Sequence, residues 1–137
     1  PNPSTEGEVA TIKAALARAR LSPTDIDYIN PHGTGSTIGD ITELDSIRRC
    51  GLGHVRINAT KSILGHGLSA AGAVELIAVL LQMEERRLHP TRNLENPIES
   101  SFQWVGSEAV SHTIENALNL SMGFGGVNTA VCLQRYS

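Results

Sequence analysis

Aromatic side chains are scarce in this sequence: they make up 4% of its 137 residues, with a single tryptophan. A core with so few rings must close through aliphatic side chains and near backbone approach, which agrees with the thirteen glycines present. Cysteine is almost missing as well. Cys50 and Cys132 cannot build the disulfide framework of a small secreted domain, so a cytoplasmic, reducing setting is expected. Long hydrophobic runs are also lacking. The longest, Ala70 to Met83, is broken by Glu75 and Gln82 and is too short to span a bilayer. The first residues do not read as a signal peptide. Finally, charge of one sign is missing: a net charge of −3 gives no basic footprint, so neither nucleic acid nor a membrane surface is an expected partner. What remains, 40% hydrophobic and 18% charged residues, suits one globular domain of ordinary size.

The chain then divides into helical and extended segments. Ser4 is placed to cap a helix whose first turn holds Glu6 and Glu8, with Val9, Ile12, Leu16 and Ala19 at helical spacing. Pro23 ends it, and Ile26 to Asn30 reads as a short strand with Tyr28 and Ile29 on opposite faces. Asp40 and Glu43 look like a capping pair that opens a second helix through Leu44 and Ile47. Val55 to Ala59 reads as a buried strand. Ser69 starts a helix to about Glu85 that is apolar on almost every side, which predicts a central buried position. The segment from Asn93 to Ser101 reads as loop. Ala117 to Met122 and Thr129 to Leu133 read as two strands joined around Gly123, Gly125 and Gly126. Helices alternating with strands predict an α/β fold.

Three glycine-bearing turns sit where an α/β sheet builds its site. They are Asn30 to Ser36, Lys61 to Gly67 and Gly123 to Asn128, and they carry two histidines and a lysine. Taken singly, each has a plain reading as a surface loop. The Gly33, Gly35, Gly39 spacing does not fit the dinucleotide fingerprint, and no glycine run leads into Lys61-Ser62, so nucleotide binding is excluded. His32, His54, His66, His89 and His112 form no helical i,i+4 pair and lack paired cysteines, so no metal site is expected.

Taken together, the three turns resemble the C-terminal half of a β-ketoacyl-acyl-carrier-protein synthase, a ketosynthase of the thiolase superfamily. The family's histidine loop, Asn-Ala-His-Gly-Thr-Gly-Thr, is matched by Asn30 to Ser36, and its acidic follow-on by Asp40 and Glu43. The motif Lys-Ser-x-x-Gly-His-x-x-x-Ala-Ala-Gly is matched by Lys61 to Gly72, with Glu75 beyond it. The tail motif Gly-Phe-Gly-Gly-x-Asn is matched by Gly123 to Asn128. Pro31, Met122 and Ser36 depart from the usual small residue, phenylalanine and threonine.

The resemblance implies the C-terminal half of a thiolase-like layered α/β/α/β/α fold over residues 1–137. It implies decarboxylative Claisen condensation of malonyl units with an acyl chain held on a cysteine. In that scheme His32 and His66 donate hydrogen bonds to the malonyl thioester oxygen. Lys61 pairs with Glu75, with Asp40 and Glu43 in the same network. Thr34 and Ser36 bind the phosphopantetheine arm, and Phe124 is the gate and part of the oxyanion hole. No tightly bound cofactor and no metal are implied. The expected partners are acyl carrier protein and an N-terminal half that supplies the nucleophilic cysteine, absent from this sequence, with the completed enzyme a dimer. Two alternatives remain. One is a malonyl decarboxylase with serine or glutamine in place of that cysteine. The other is a non-catalytic partner akin to a chain-length factor.

Overall fold

A computed structural model describes residues 2–136. Helix α1, Thr5–Ala19, starts where expected: the Ser4 hydroxyl accepts from the Gly7 N–H at 3.3 Å, and the acids of its first turn suit the helix N-terminus. Strand β1, Tyr28–Asn30, leads to helix α2, Thr37–Arg49. The start of α2 corrects the sequence reading. Its N-cap is Ser36, which accepts from Gly39 N–H, and not the Asp40–Glu43 pair. Glu43 is buried on the inner face of the helix, where it has another task.

Strand β2, Arg56–Ile57, is followed by the single helical turn α3, Lys61–Leu64, in a segment expected to be loop. Helix α4 spans Ala71–Glu85. Then come β3, Arg87–Leu88, β4, Gln103–Trp104, and β5, Val110–Ser111, followed by β6, Asn116–Met122, and β7, Asn128–Gln134. The last two form the expected antiparallel hairpin, with Met122 opposite Asn128. At its turn a side chain on Gly123 would meet the Val127 carbonyl at 2.9 Å, so only glycine fits.

The main sheet runs β4-β2-β1-β6-β7, parallel except for β7, and β3 pairs with β5 separately. Alternation along β1 and β6 sorts the core into two layers. Ile29, Leu118 and Leu120 pack with Ile12 and Leu16 of α1 and Leu44 and Ile47 of α2. Tyr28 and Ala117 face the other way, onto Val79 and Met83 of α4. The described chain is therefore a three-layer α/β/α unit, of mixed α/β class as expected. Among the described residues no helix is long and apolar enough to cross a membrane.

Helix α4 departs from its expected central burial. Val79 is fully covered, but Ile77 is 58% exposed, and Val74, Leu80 and Leu81 are also exposed. One face packs on the sheet and the other apolar face has no cover among the described residues. Cys50, at the C-terminal end of α2, is buried against α1, with its Sγ near the Val9 carbonyl. Glu8, read from sequence as a first-turn acid, is also buried and accepts from the Ser46 hydroxyl at 2.8 Å.

Candidate active site

The parallel strands deliver their C-terminal ends to one edge of the sheet, where β1 runs into the His32 loop and β2 into the Lys61 turn. A cavity of about 840 Å³ opens there. Of the residues singled out in the sequence, His32, His66, Thr34, Ser36, Asp40, Glu43 and Phe124 all line it. Lys61 and Glu75 do not; they stand behind His32. The two imidazoles meet edge to face, with ring centroids 5.4 Å apart and planes at 86°.

Each ring is held at Nδ1. The Leu68 N–H donates to His66 Nδ1 at 3.1 Å. The Lys61 ammonium reaches His32 Nδ1 at 3.3 Å and also donates to the His32 carbonyl. An Nδ1 that accepts leaves the proton of a neutral ring on Nε2, so the network assigns both histidines as Nε2–H donors. Burial first, then the nearby positive charge of Lys61, pull the His32 pKa down to about 4. His32 is therefore neutral at physiological pH. Leu68 supplies its N–H from a left-handed backbone conformation, φ 49°, which is unusual for a branched residue.

Lys61 is nearly enclosed, with its Nζ 2.8 and 3.0 Å from the two Glu75 oxygens. Such a pair persists in a low dielectric only when its remaining donors and acceptors are also used. They are: Lys61 spends its other protons on His32, and Glu75 accepts from the Asn30 amide at 3.1 Å. Asn30 in turn donates to Asn119 at 2.8 Å and accepts from the Thr60 hydroxyl at 2.8 Å.

Glu43 joins this network through the backbone of the His32 loop and not through Lys61. Its Oε1 accepts from the His32 N–H at 2.6 Å and its Oε2 from the Gly33 N–H at 2.9 Å, so it clamps the loop backbone. Burial raises its pKa to about 7, those two bonds oppose the rise, and the charges of Glu8 and Asp40 add to it. Asp40 is half-buried and its pKa is also raised by burial, with the Gly35 and Thr34 backbone and Lys61 pulling it back.

Phe124 is 93% exposed at the rim. Thr34 and Ser36 are exposed in the cavity wall, and Ser36 also caps α2. Met122, in place of the family's phenylalanine, lines the cavity and packs against the α1–α2 core. Neither cysteine lines the cavity. Sequence reasoning missed Asn119, Thr60 and Glu8. The available signal was polar residues on inward positions of strands and helices, such as Asn119 between Leu118 and Leu120.

The profile of the family described as Beta-ketoacyl synthase, C-terminal domain, matches residues 1–95. The chain belongs to the β-ketoacyl synthase family. Among curated relatives, this ketosynthase chain is 66% identical over 134 residues to the polyketide biosynthesis malonyl-ACP decarboxylase PksF of Bacillus subtilis, covering 98% of the chain and 32% of that protein. It is 40% identical to 3-oxoacyl-[acyl-carrier-protein] synthase 2 of Rhizobium meliloti, covering 100% of the chain and 33% of that protein. The ketosynthase chain thus spans about a third of the length of these relatives. Among solved structures, the ishigamide ketosynthase/chain length factor matches with a TM-score of 0.93 at 32% identity, over 99% of this chain and 34% of that one. The three layers seen here are thereby the C-terminal domain of the thiolase-like ketosynthase fold.

Proposed function

We propose that this chain carries the decarboxylating half of a ketosynthase site acting on malonyl units borne by acyl carrier protein. The observation that carries the reading is the pair of imidazoles, each held at Nδ1 and each presenting Nε2–H to one cavity. When the malonyl thioester loses carbon dioxide, the electrons of the breaking C–C bond form an enolate and its charge collects on the thioester oxygen. Two fixed N–H donors beside that oxygen lower the barrier, and they do so only if neutral and correctly oriented. Lys61 and Glu75 hold His32 in that state from behind, and Glu43 holds its backbone. Thr34 and Ser36 are placed on the wall where the amides of a phosphopantetheine arm would lie, with Phe124 as the gate at the rim. The substrate arrives on its carrier, and no further cofactor is needed for this step.

The enolate has two fates. With an acyl-cysteine opposite, its carbon attacks the acyl carbonyl, the cysteine thiolate leaves, and a β-ketoacyl product forms. With serine or glutamine there, the enolate takes a proton and acetyl-carrier protein is released. The nucleophile position belongs to an N-terminal part outside this sequence, in an enzyme expected to dimerise. The higher identity to the Bacillus subtilis decarboxylase favours the second fate. Retention of both histidines together with Lys61 speaks against a purely structural partner.

The test is mass spectrometry of the carrier after incubation of the complete enzyme with malonyl-carrier protein. Acetyl-carrier is the expected product, and a β-ketoacyl product on adding acyl donor would favour condensation. His32→Ala and His66→Ala are each expected to slow carbon dioxide release by about 10²–10³-fold, the usual effect of one lost oxyanion donor. Unchanged rates in both variants would overturn the assignment.

A further inference from the structure

His89 lies outside the cavity lining, yet a continuous set of hydrogen bonds joins it to the catalytic pair. Its ring Nε2 is 2.9 Å from the Thr60 hydroxyl, Thr60 donates to Asn30, Asn30 donates to Glu75, and Glu75 accepts from Lys61, which holds His32. The direction of each bond can be counted outward from Lys61. An ammonium only donates and the Glu75 carboxylate only accepts, so Asn30 must turn its amide N–H groups toward Glu75 and Asn119. That leaves the Asn30 carbonyl facing Thr60, and the single hydroxyl proton of Thr60 is committed to it. Thr60 can then offer His89 only a lone pair, and Nε2 must carry a proton. The other ring nitrogen, Nδ1, lies 2.8 Å from the Pro90 carbonyl, which only accepts, so Nδ1 must carry a proton too.

We propose that His89 is a positioning residue whose doubly protonated imidazole, formed on acidification, donates to Thr60 and fixes the polarity of the chain Thr60–Asn30–Glu75 behind Lys61 and His32. The rest of its setting is rigid. The His89 N–H donates to Gln82 of α4, its carbonyl accepts from Asn58, and Asn58, Gln82 and Tyr28 close a buried ring of hydrogen bonds among themselves. Tyr28 stays protonated, its pKa raised by burial. No carboxylate lies within ion-pair distance of His89 among the described residues; the charges that face it along the chain are Glu75 on α4 and Lys61 on α3. Burial is the larger influence and holds the His89 pKa below its ordinary value, with backbone carbonyls pulling it part of the way back, so the second proton is taken up only on acidification. When it is lost, either the Pro90 contact or the Thr60 contact breaks, or Thr60 turns away from Asn30. Each outcome loosens the partner of Glu75.

The importance of His89 for turnover rests on the role proposed for His32, but the coupling itself can be read without turnover. The experiment is ¹⁵N NMR of histidine ring nitrogens in the complete enzyme, with His89 and His32 assigned through His89→Gln and His32→Asn. His89 should show both nitrogens protonated below its own pKa, and the His32 signals should carry an inflection at that same pH. Thr60→Val should abolish the inflection at His32. His89→Gln, which keeps a donor for Thr60 but cannot titrate, should leave His32 near its wild-type shift with no inflection. A His89 with one bare nitrogen at every pH where the protein is folded, or a His32 signal blind to His89 in the wild type, overturns the proposal. If the NMR coupling is found but malonyl-carrier protein is not decarboxylated, the functional reading fails and the coupling stands.

Discussion

At the residue scale, the His32 loop is governed by two groups whose pKa values move in opposite directions. His32 is lowered from 6.5 to about 4, so the folded state binds its proton more weakly than the unfolded state. Its contribution to stability is lost as pH falls from 6.5 toward 4. Glu43 is raised from 4.5 to about 7, so the folded state binds its proton more tightly, and its contribution is lost as pH rises from 4.5 through 7. The slopes oppose each other between pH 4.5 and 6.5. Glu43→Gln is therefore expected to leave a urea midpoint that climbs from pH 4 to 6.5, and His32→Asn one that declines from pH 4.5 to 7. Identical profiles in wild type and both variants would refute the opposition. Glu75→Gln is a harsher change, since it strands an enclosed ammonium; a loss of about 3–5 kcal/mol is expected, and Lys61→Met with Glu75→Met should recover part of it. The motifs around His32, Lys61 and His66 were legible because glycine and histidine leave a pattern in the chain. The role of Glu43 was not, because a carboxylate on a helix looks the same in sequence whether it caps that helix, faces water or clamps a distant loop.

At the element scale, long periodic segments were readable and short ones were not. Helix α1 and the β6–β7 hairpin lie close to where the spacing of Ile12, Leu16, Ala117 and Leu120 puts them. The two-residue strand Gln103–Trp104 has too little length to show a period, and it exists only because β2 offers it a parallel partner. Helix α4 was readable as apolar but not as two-faced, since sequence shows how much surface a helix must bury and not which chain buries it. Its faces should behave differently. Val79 is fully buried under Tyr28 and Ala117, so Val79→Ala is expected to cost on the order of 2 kcal/mol in chemical unfolding of the complete enzyme. Ile77 and Leu81 are exposed here, so Ile77→Lys or Leu81→Lys should leave this layer intact and weaken its association with the remainder of the enzyme. Hydrogen exchange of α4 and sedimentation of the assembly separate these outcomes. A Leu81→Lys variant that assembles as well as wild type would mean that nothing covers this face.

At the scale of the whole molecule, many of the exposed apolar residues fall into groups. Val74, Ile77, Leu80 and Leu81 share α4, Leu64 and Leu68 flank the His66 loop, and Phe124 and Val127 stand on the β6–β7 turn. Single exposed aliphatic residues need no explanation, but rows of them along one helix and around one cavity do. The low aromatic content noted in the sequence belongs to the same picture, because a core poor in rings depends more on every aliphatic surface being covered. A chain spanning about a third of its relatives' length would leave such surfaces for the remainder of the protein to bury. A polypeptide of these 137 residues alone is therefore expected to bind a hydrophobic dye such as ANS and to self-associate as its concentration rises. The complete enzyme should do neither beyond the dimer proposed for it. Dye titration and sedimentation velocity on the two proteins decide the matter. A short polypeptide that stays monomeric, unfolds cooperatively and ignores the dye would show that these surfaces do not require a partner, and the proposed composite site would lose its structural basis.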